Sequence, residues 1–194
     1  MKSILKGIIS SFLLAGALLS LPSTAESQVF HTVRGLLASR FSDSERVTFV
    51  QVRPDAAQRR SVERRLGRRL PRAEYTFYVA ATGARVDGYA LFDEERGQHE
   101  LISLATFFDA RGRVTDVEVV AFREPYGDGI RGRRFRRQFV GRNGQSGFRP
   151  GRDIDAVSGS TLSSRAMTIA VQRATVLLEQ AMIADGAGSS LARR

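Results

Sequence analysis

The spacing of hydrophobic positions changes along this chain, and the change divides it. From Val29 to Phe41 the apolar residues Val29, Phe30, Val33, Leu36, Leu37 and Phe41 recur three or four apart, which predicts a first helix. Arg46–Val52 alternates and predicts a strand. Asp55–Leu66 predicts a charged helix with Pro54 near its start, a thin apolar face of Ala57, Val62 and Leu66, and Gly67 as its stop. From Tyr75 the period falls to two and aromatic and β-branched residues dominate. Tyr75–Ala80, Ala84–Phe92, Leu101–Phe108 and Arg113–Phe122 predict four strands. Thr82-Gly83 and Asp109-Ala110-Arg111-Gly112 are turn sequences, so the strands should form antiparallel hairpins, with Asp93–Glu100 as a solvated hairpin loop. Ile130–Val140 predicts a short basic helix with Phe135 and Phe139 on one face, and residues 142–152 a Gly-rich loop. Leu162–Ala184 predicts a long helix whose stripe of Ala166, Ile169, Ala170, Arg173, Val176, Leu177, Leu178 and Met182 would cover the sheet. The fold class expected is α+β: an antiparallel sheet of about four to five strands packed by helices, including the long C-terminal one.

The N-terminus changes where this domain should work. Lys2 and Lys6 precede a 14-residue apolar run, Ile8–Leu21, and Leu-Pro-Ser-Thr-Ala places Ser23 and Ala25 at small-residue positions. This is the layout of a cleaved export signal, and the run is short of the roughly 20 residues of a membrane span. The expected organisation is a signal peptide at 1–25, a helical and strand extension at 26–74, the main domain at 75–184 and a loose tail at 185–194. The expected location is periplasmic or extracytoplasmic, membrane-associated if the N-terminal segment stays uncleaved. Cysteine is absent, which excludes disulfides, thiolate metal sites and a lipoprotein anchor. Beyond residue 25 every basic residue is arginine, 28 against 20 acids, a net charge of +8. That excess suits an anionic partner or surface. Nucleic acid fits poorly: the chain reads as exported, and its aromatics sit in strand patterns instead of alternating with arginine as stacking platforms.

Candidate chemistry concentrates in Asp155-Ala156-Val157-Ser158-Gly159-Ser160-Thr161, directly before the long helix. Asp155, Ser158 and Ser160 are helix-capping types, and Gly159 lets backbone approach a ligand closely. The free N–H groups and positive dipole end of the helix would lie beside the Thr161 hydroxyl, a setting suited to phosphate. An ordinary N-cap would use the same residue types.

The segment resembles the flavin-attachment motif of the FMN-binding domain family, Asp-x-x-Ser/Thr-Gly-Ala-Thr/Ser. That family includes the G subunit of Rnf-type electron-transport complexes and the C subunit of the sodium-pumping NADH:quinone reductase. Ser160 stands where the family has Ala, adding a competing hydroxyl, as do Ser163 and Ser164. Gly88-Tyr89-Ala90, Val117–Val120, Arg123–Gly127 and Phe135–Gly141 are also similar to family stretches, so the resemblance covers about residues 85–182. It implies an α+β fold, FMN joined by phosphoester to Thr161, and a cofactor environment formed by Asp155, Ser158, Gly159, Ser160, Leu162 and Ser163. It also implies a separate flavin transferase, using FAD and a divalent metal, as a maturation partner, and electron exchange with a redox protein or quinone-linked chain.

Outside the motif, Glu124-Pro125-Tyr126-Gly127 turns directly after a strand; Tyr126 could pack on the isoalloxazine, and Glu124 could hydrogen-bond flavin or cap a helix. His99 with Asp93, Glu94 and Glu95 reads as surface loop, not as a metal site. Arg131, Arg133, Arg134, Arg136, Arg137 and Arg142 could dock an acidic partner or an anionic membrane. No catalytic residue is nominated: no Gly-x-Ser-x-Gly elbow is present, and the reading is an electron carrier and not a stand-alone catalyst. The alternative is a non-redox extracytoplasmic module that binds a phosphate-bearing or anionic ligand non-covalently.

Overall fold

The computed structural model describes residues 28–124 and 126–184; the expected signal segment and tail lie outside them. The elements are β1 (Gln28–Val29), α1 (Val33–Arg40), β2 (Arg46–Val52), α2 (Ala56–Leu66), β3 (Tyr75–Thr82), β4 (Arg85–Arg96), β5 (Leu101–Asp109), β6 (Val114–Phe122), α3 (Arg133–Arg136) and α4 (Thr161–Ala184). Single 3-10 turns, Asp128–Arg131 and Arg137–Phe139, flank α3. The strands form one antiparallel sheet in the order β1-β6-β5-β4-β3-β2. Five strands are long and the sixth, β1, is a two-residue edge, so the expected α+β architecture holds.

Alternation sorts side chains to the two faces. Tyr75, Phe77, Val79, Leu91, Ile102 and Leu104 point to one face, where Val62 and Leu66 of α2 and Met167, Ala170, Val171, Ala174 and Leu177 of α4 bury them. On the other face α1 lays Leu36 and Leu37 over Ala90, Ala105 and Phe107. Helix α2 has the ends its sequence predicts. Asp55 and Gln58 form a reciprocal capping box, and Gly67 closes the helix in a left-handed conformation. Residues 28–74 thus belong to the same sheet and core as the rest.

Three expectations need correction. The first helix begins at Val33, not Val29: Thr32 Oγ1 caps it by accepting from Gly35 N at 3.1 Å, and Gln28–Val29 instead pair with Phe122 and Ala121. Asp93–Glu100 is not a solvated loop. β4 continues to Arg96, the connection shrinks to residues 97–100, and Asp93 is buried. The reason lies on α4. Arg173, within the apolar stripe, is itself buried; it donates to Asp93 Oδ2 at 2.6 Å, Glu95 Oε2 at 2.5 Å and the Glu94 carbonyl at 3.0 Å. Arg72 pairs with the other Asp93 oxygen. Removing one partner of such a buried pair costs about 3–5 kcal/mol, so this cluster pins α4 to β4. Finally, Ile130–Val140 is not one helix: Gly132 separates a first 3-10 turn from α3, and a second 3-10 turn follows from Arg137. Phe135 and Phe139 still share a buried face, edge to face at 5.4 Å.

Candidate functional site

Helix α4 starts at Thr161, so this residue occupies the first helical position, where the earliest N–H groups have no intrahelical acceptor. Ser160 N donates to Val157 O at 2.9 Å, closing a turn whose third residue, Gly159, sits at φ +74°. That left-handed position favours glycine and leads the chain into the helix.

Burial separates the residues of the motif. Ser160, Ser163 and Ser164 are buried, whereas Thr161, Leu162, Ser158 and Asp155 are exposed. Ser164 Oγ accepts from Val157 N at 3.1 Å and so tethers the loop to its own helix. Asp155 contributes through its backbone. Gln138 Oε1 accepts from Asp155 N at 2.8 Å while Gln138 Nε2 donates to Asp155 O at 3.1 Å, and the Asp155 carboxylate points outward without a partner among the described residues.

The turn after β6 packs on the start of α4. Gly127 has φ +98°, and a Cβ there would collide with Ser163 Oγ. A Cβ on Gly129 would come within 2.9 Å of both Ser160 Oγ and Val157 Cγ1. Only glycines allow this approach. Tyr126, next to Gly127, is 80% exposed and Leu162, next to Thr161, is 49% exposed, so apolar surface flanks the first turn. Glu124 faces elsewhere. It is buried, and its Oε1 accepts from His99 N at 2.8 Å and Glu100 N at 3.0 Å, holding the β4–β5 hairpin against the end of β6.

The arginines divide as well. Arg136 donates to Val117 O and pairs with Glu118 at 2.7 Å. Arg142 donates to the carbonyls of Gln138, Gly147 and Asp153 at 2.6–2.7 Å and stacks over Phe148, so it braces the 142–154 loop and is not part of a docking surface. Arg131 lies over the Phe30 ring at 3.6 Å. Arg133, Arg134 and Arg137 remain exposed without partners among the described residues.

The site thus joins expected residues (Thr161, Leu162, Ser160, Ser163, Gly159, Gly127) to two the motif did not announce. Gln138 lies 17 residues upstream of Asp155, inside the Phe135–Gly141 stretch that is similar to the family, but its bond to the loop is not legible from that stretch. Gly129 had a signal, the dense spacing of Gly127, Gly129 and Gly132.

Fold and site together describe an α+β domain that presents one hydroxyl on the first turn of its longest helix, over a glycine-lined contact. Residues 97–176, from the β4–β5 hairpin into α4, match the family model of the FMN-binding domain; this segment is an FMN-binding domain and the protein a flavoprotein. The curated proteins gave no match to the chain.

Proposed function

We propose that this chain carries FMN as a phosphoester on Thr161 and passes electrons between redox partners outside the cytoplasm. The observation that carries the reading is the exposure of Thr161 at the first position of α4, inside the matched segment, while Ser160, Ser163 and Ser164 beside it are buried.

The residues present fit the group. The N–H groups of the first turn would be donors for a phosphate on the Thr161 hydroxyl, with the positive end of the helix dipole behind them. The Gly127 and Gly129 contacts keep Ser160 and Ser163 covered, which favours a single attachment point. Tyr126 and Leu162 offer apolar surface to the isoalloxazine. The flavin, once attached, supplies the electron chemistry; the chain supplies attachment, orientation and surroundings. Attachment from FAD balances simply. The Thr161 oxygen forms a bond to the flavin-side phosphorus, the pyrophosphate bond breaks, AMP leaves, and the hydroxyl proton goes to solvent or to a base of the transferase. A tether of this kind keeps the cofactor on an exported carrier that has no FMN pool to draw on. Export is supported by the charged, apolar and small-residue layout of residues 1–25.

The test is intact mass after co-expression with a flavin transferase. The wild-type chain should gain FMN less one water. Thr161→Ala should abolish the gain, whereas Ser158→Ala, Ser163→Ala and Ser164→Ala should keep it. Yellow colour lost on denaturation, with no mass gain, would overturn the covalent reading in favour of non-covalent binding.

A further inference from the structure

The edge strand β2 lacks the devices that normally protect an edge. It pairs with β3 in unbroken register from Arg46↔Ala81 to Val52↔Tyr75, and no strand flanks its other side among the described residues. Its interior, Val47-Thr48-Phe49-Val50-Gln51-Val52, holds six consecutive uncharged residues with no proline, and the register carries no bulge. Natural sheets interrupt such edges with charge, proline or bulges, because an uncharged β-forming run recruits another strand. Phe49 is 63% exposed and Val47 38%. Phe49 stands opposite Tyr78 and therefore shares its face. Tyr78 meets Phe92 edge to face at 5.5 Å, and Phe92 meets Phe107 at 6.2 Å under α1. A band of aromatic rings thus runs out from beneath α1 and ends in solvent at Phe49.

We propose that β2 pairs with β2 of a second copy of this chain, antiparallel and centred on Phe49. The register is self-complementary. Phe49 meets Phe49 of the second copy, Val47 meets Gln51, and Thr48 meets Val50. At the ends Glu45 falls opposite Arg53, so two opposite-charge pairs flank an apolar centre. Within one chain Glu45 accepts from Gly83 N at 2.7 Å and Arg53 pairs with Glu74; both side chains remain exposed at the edge. Pairing in this register joins the two aromatic bands into one and the two sheets into one. The start of α4, with Thr161, packs on the turn that follows β6, and β6 is separated from β2 by β5, β4 and β3, so pairing at β2 leaves both Thr161 sites uncovered. The buried surface is one strand pair and its side chains, which places the dimer in the weak, concentration-dependent class.

The absence of native cysteine makes a clean test. In the purified protein Phe49→Cys should cross-link into a disulfide dimer under mild oxidation, because directly opposed antiparallel residues lie about 4.5–5.5 Å apart at Cα, within disulfide range. Gln51→Cys should cross-link with itself about tenfold more slowly, its partner position being Val47. If losing the Phe49 ring weakens association, mixing Val47→Cys with Gln51→Cys protein should still give the mixed disulfide. In sedimentation, Glu45→Arg and Arg53→Glu should each weaken the dimer, and the double exchange should restore it. Equal cross-linking at 49 and 51, or a wild-type monomer at every concentration, would overturn the proposal; the monomer would mean that another segment of this chain or a different protein covers β2.

Discussion

Six hydroxyls lie between Ser158 and Thr168, and their surroundings leave Thr161 in a class of its own. Thr168 is buried and donates to the Ser164 carbonyl at 2.8 Å. Ser164 holds Val157 N, and Ser160 and Ser163 are covered by the glycine turn. Ser158 is exposed but sits in the turn before the helix, without the first-turn N–H groups beside Thr161. Geometry thus adds a distinction that spacing alone does not give, since Ser160 and Ser163 lie next to Thr161 or two residues from it. The attachment proposed above requires the loop to keep its shape, and Gln138 bonds both backbone polar atoms of Asp155. Each such bond contributes about 0.5–1.5 kcal/mol net. Gln138→Ala should therefore speed hydrogen exchange at Asp155 N about tenfold and slow flavin addition at Thr161, with global stability, read by urea unfolding, falling by about 1–2 kcal/mol. Gln138→Glu, which keeps the acceptor but loses the donor, should fall between. Unchanged exchange at Asp155 would show that Gln138 does not hold the loop.

Elements with one dominant period were legible in the sequence, and elements shaped by distant partners were not. β2, β5, β6, α2 and α4 match their expected spans to within about a residue, because capping and turn residues mark their ends. Val29 and Phe30 fit a helix stripe and a strand equally, and β6 decides between them. Asp93 and Glu95 look like loop residues until Arg173, 80 residues from Asp93, neutralises them. Arg142 looks like surface charge until its three carbonyl partners are seen. The 142–154 loop shows another such dependence. Asp153 Oδ2 accepts from Arg149 N at 2.8 Å, and that backbone N–H, outweighing partial desolvation and helped by the charges of Arg149 and Arg152, holds the carboxyl below its ordinary value of 3.8. A lowered folded pKa means that the unfolded chain binds the proton more readily. The stabilisation is thus present above the ordinary value and lost as pH falls through the lower folded one. Asp153→Asn should lower stability at neutral pH and flatten its decline as pH falls through and below the ordinary carboxylate value. The urea midpoint against pH measures this, and a parallel decline in both proteins would contradict it.

At the scale of the whole molecule the question is which surface a redox partner would meet. Arginine excess alone does not answer it, because much of the charge is internally matched. Arg40 and Arg136 are balanced by Asp116 and Glu118, Arg65 by Glu179, and Arg173 by Asp93 and Glu95. Around α3 the arginines without an acidic partner among the described residues are Arg131, Arg133, Arg134 and Arg137, and Arg133 and Arg137 share the wall of a cavity of about 360 Å³ with the Arg40, Arg136, Asp116 and Glu118 cluster. Through Gln138 the same segment is tied to Asp155, at the start of the loop that leads to Thr161. An acidic donor drawn to these arginines would meet that segment, and such steering weakens as salt shortens the range of the field. Reduction of the flavinylated chain by its physiological donor should slow about tenfold between low and high salt. Arg133→Glu with Arg134→Glu should slow the low-salt rate by a similar factor and remove most of the salt dependence. Intact mass should show unchanged flavin content, since neither side chain touches the attachment loop. Stopped-flow reduction at several ionic strengths measures both effects. A salt-insensitive rate, together with saturable turnover of a small organic acceptor, would contradict the carrier reading and point to a substrate pocket, because such turnover needs a defined site and not a docking surface.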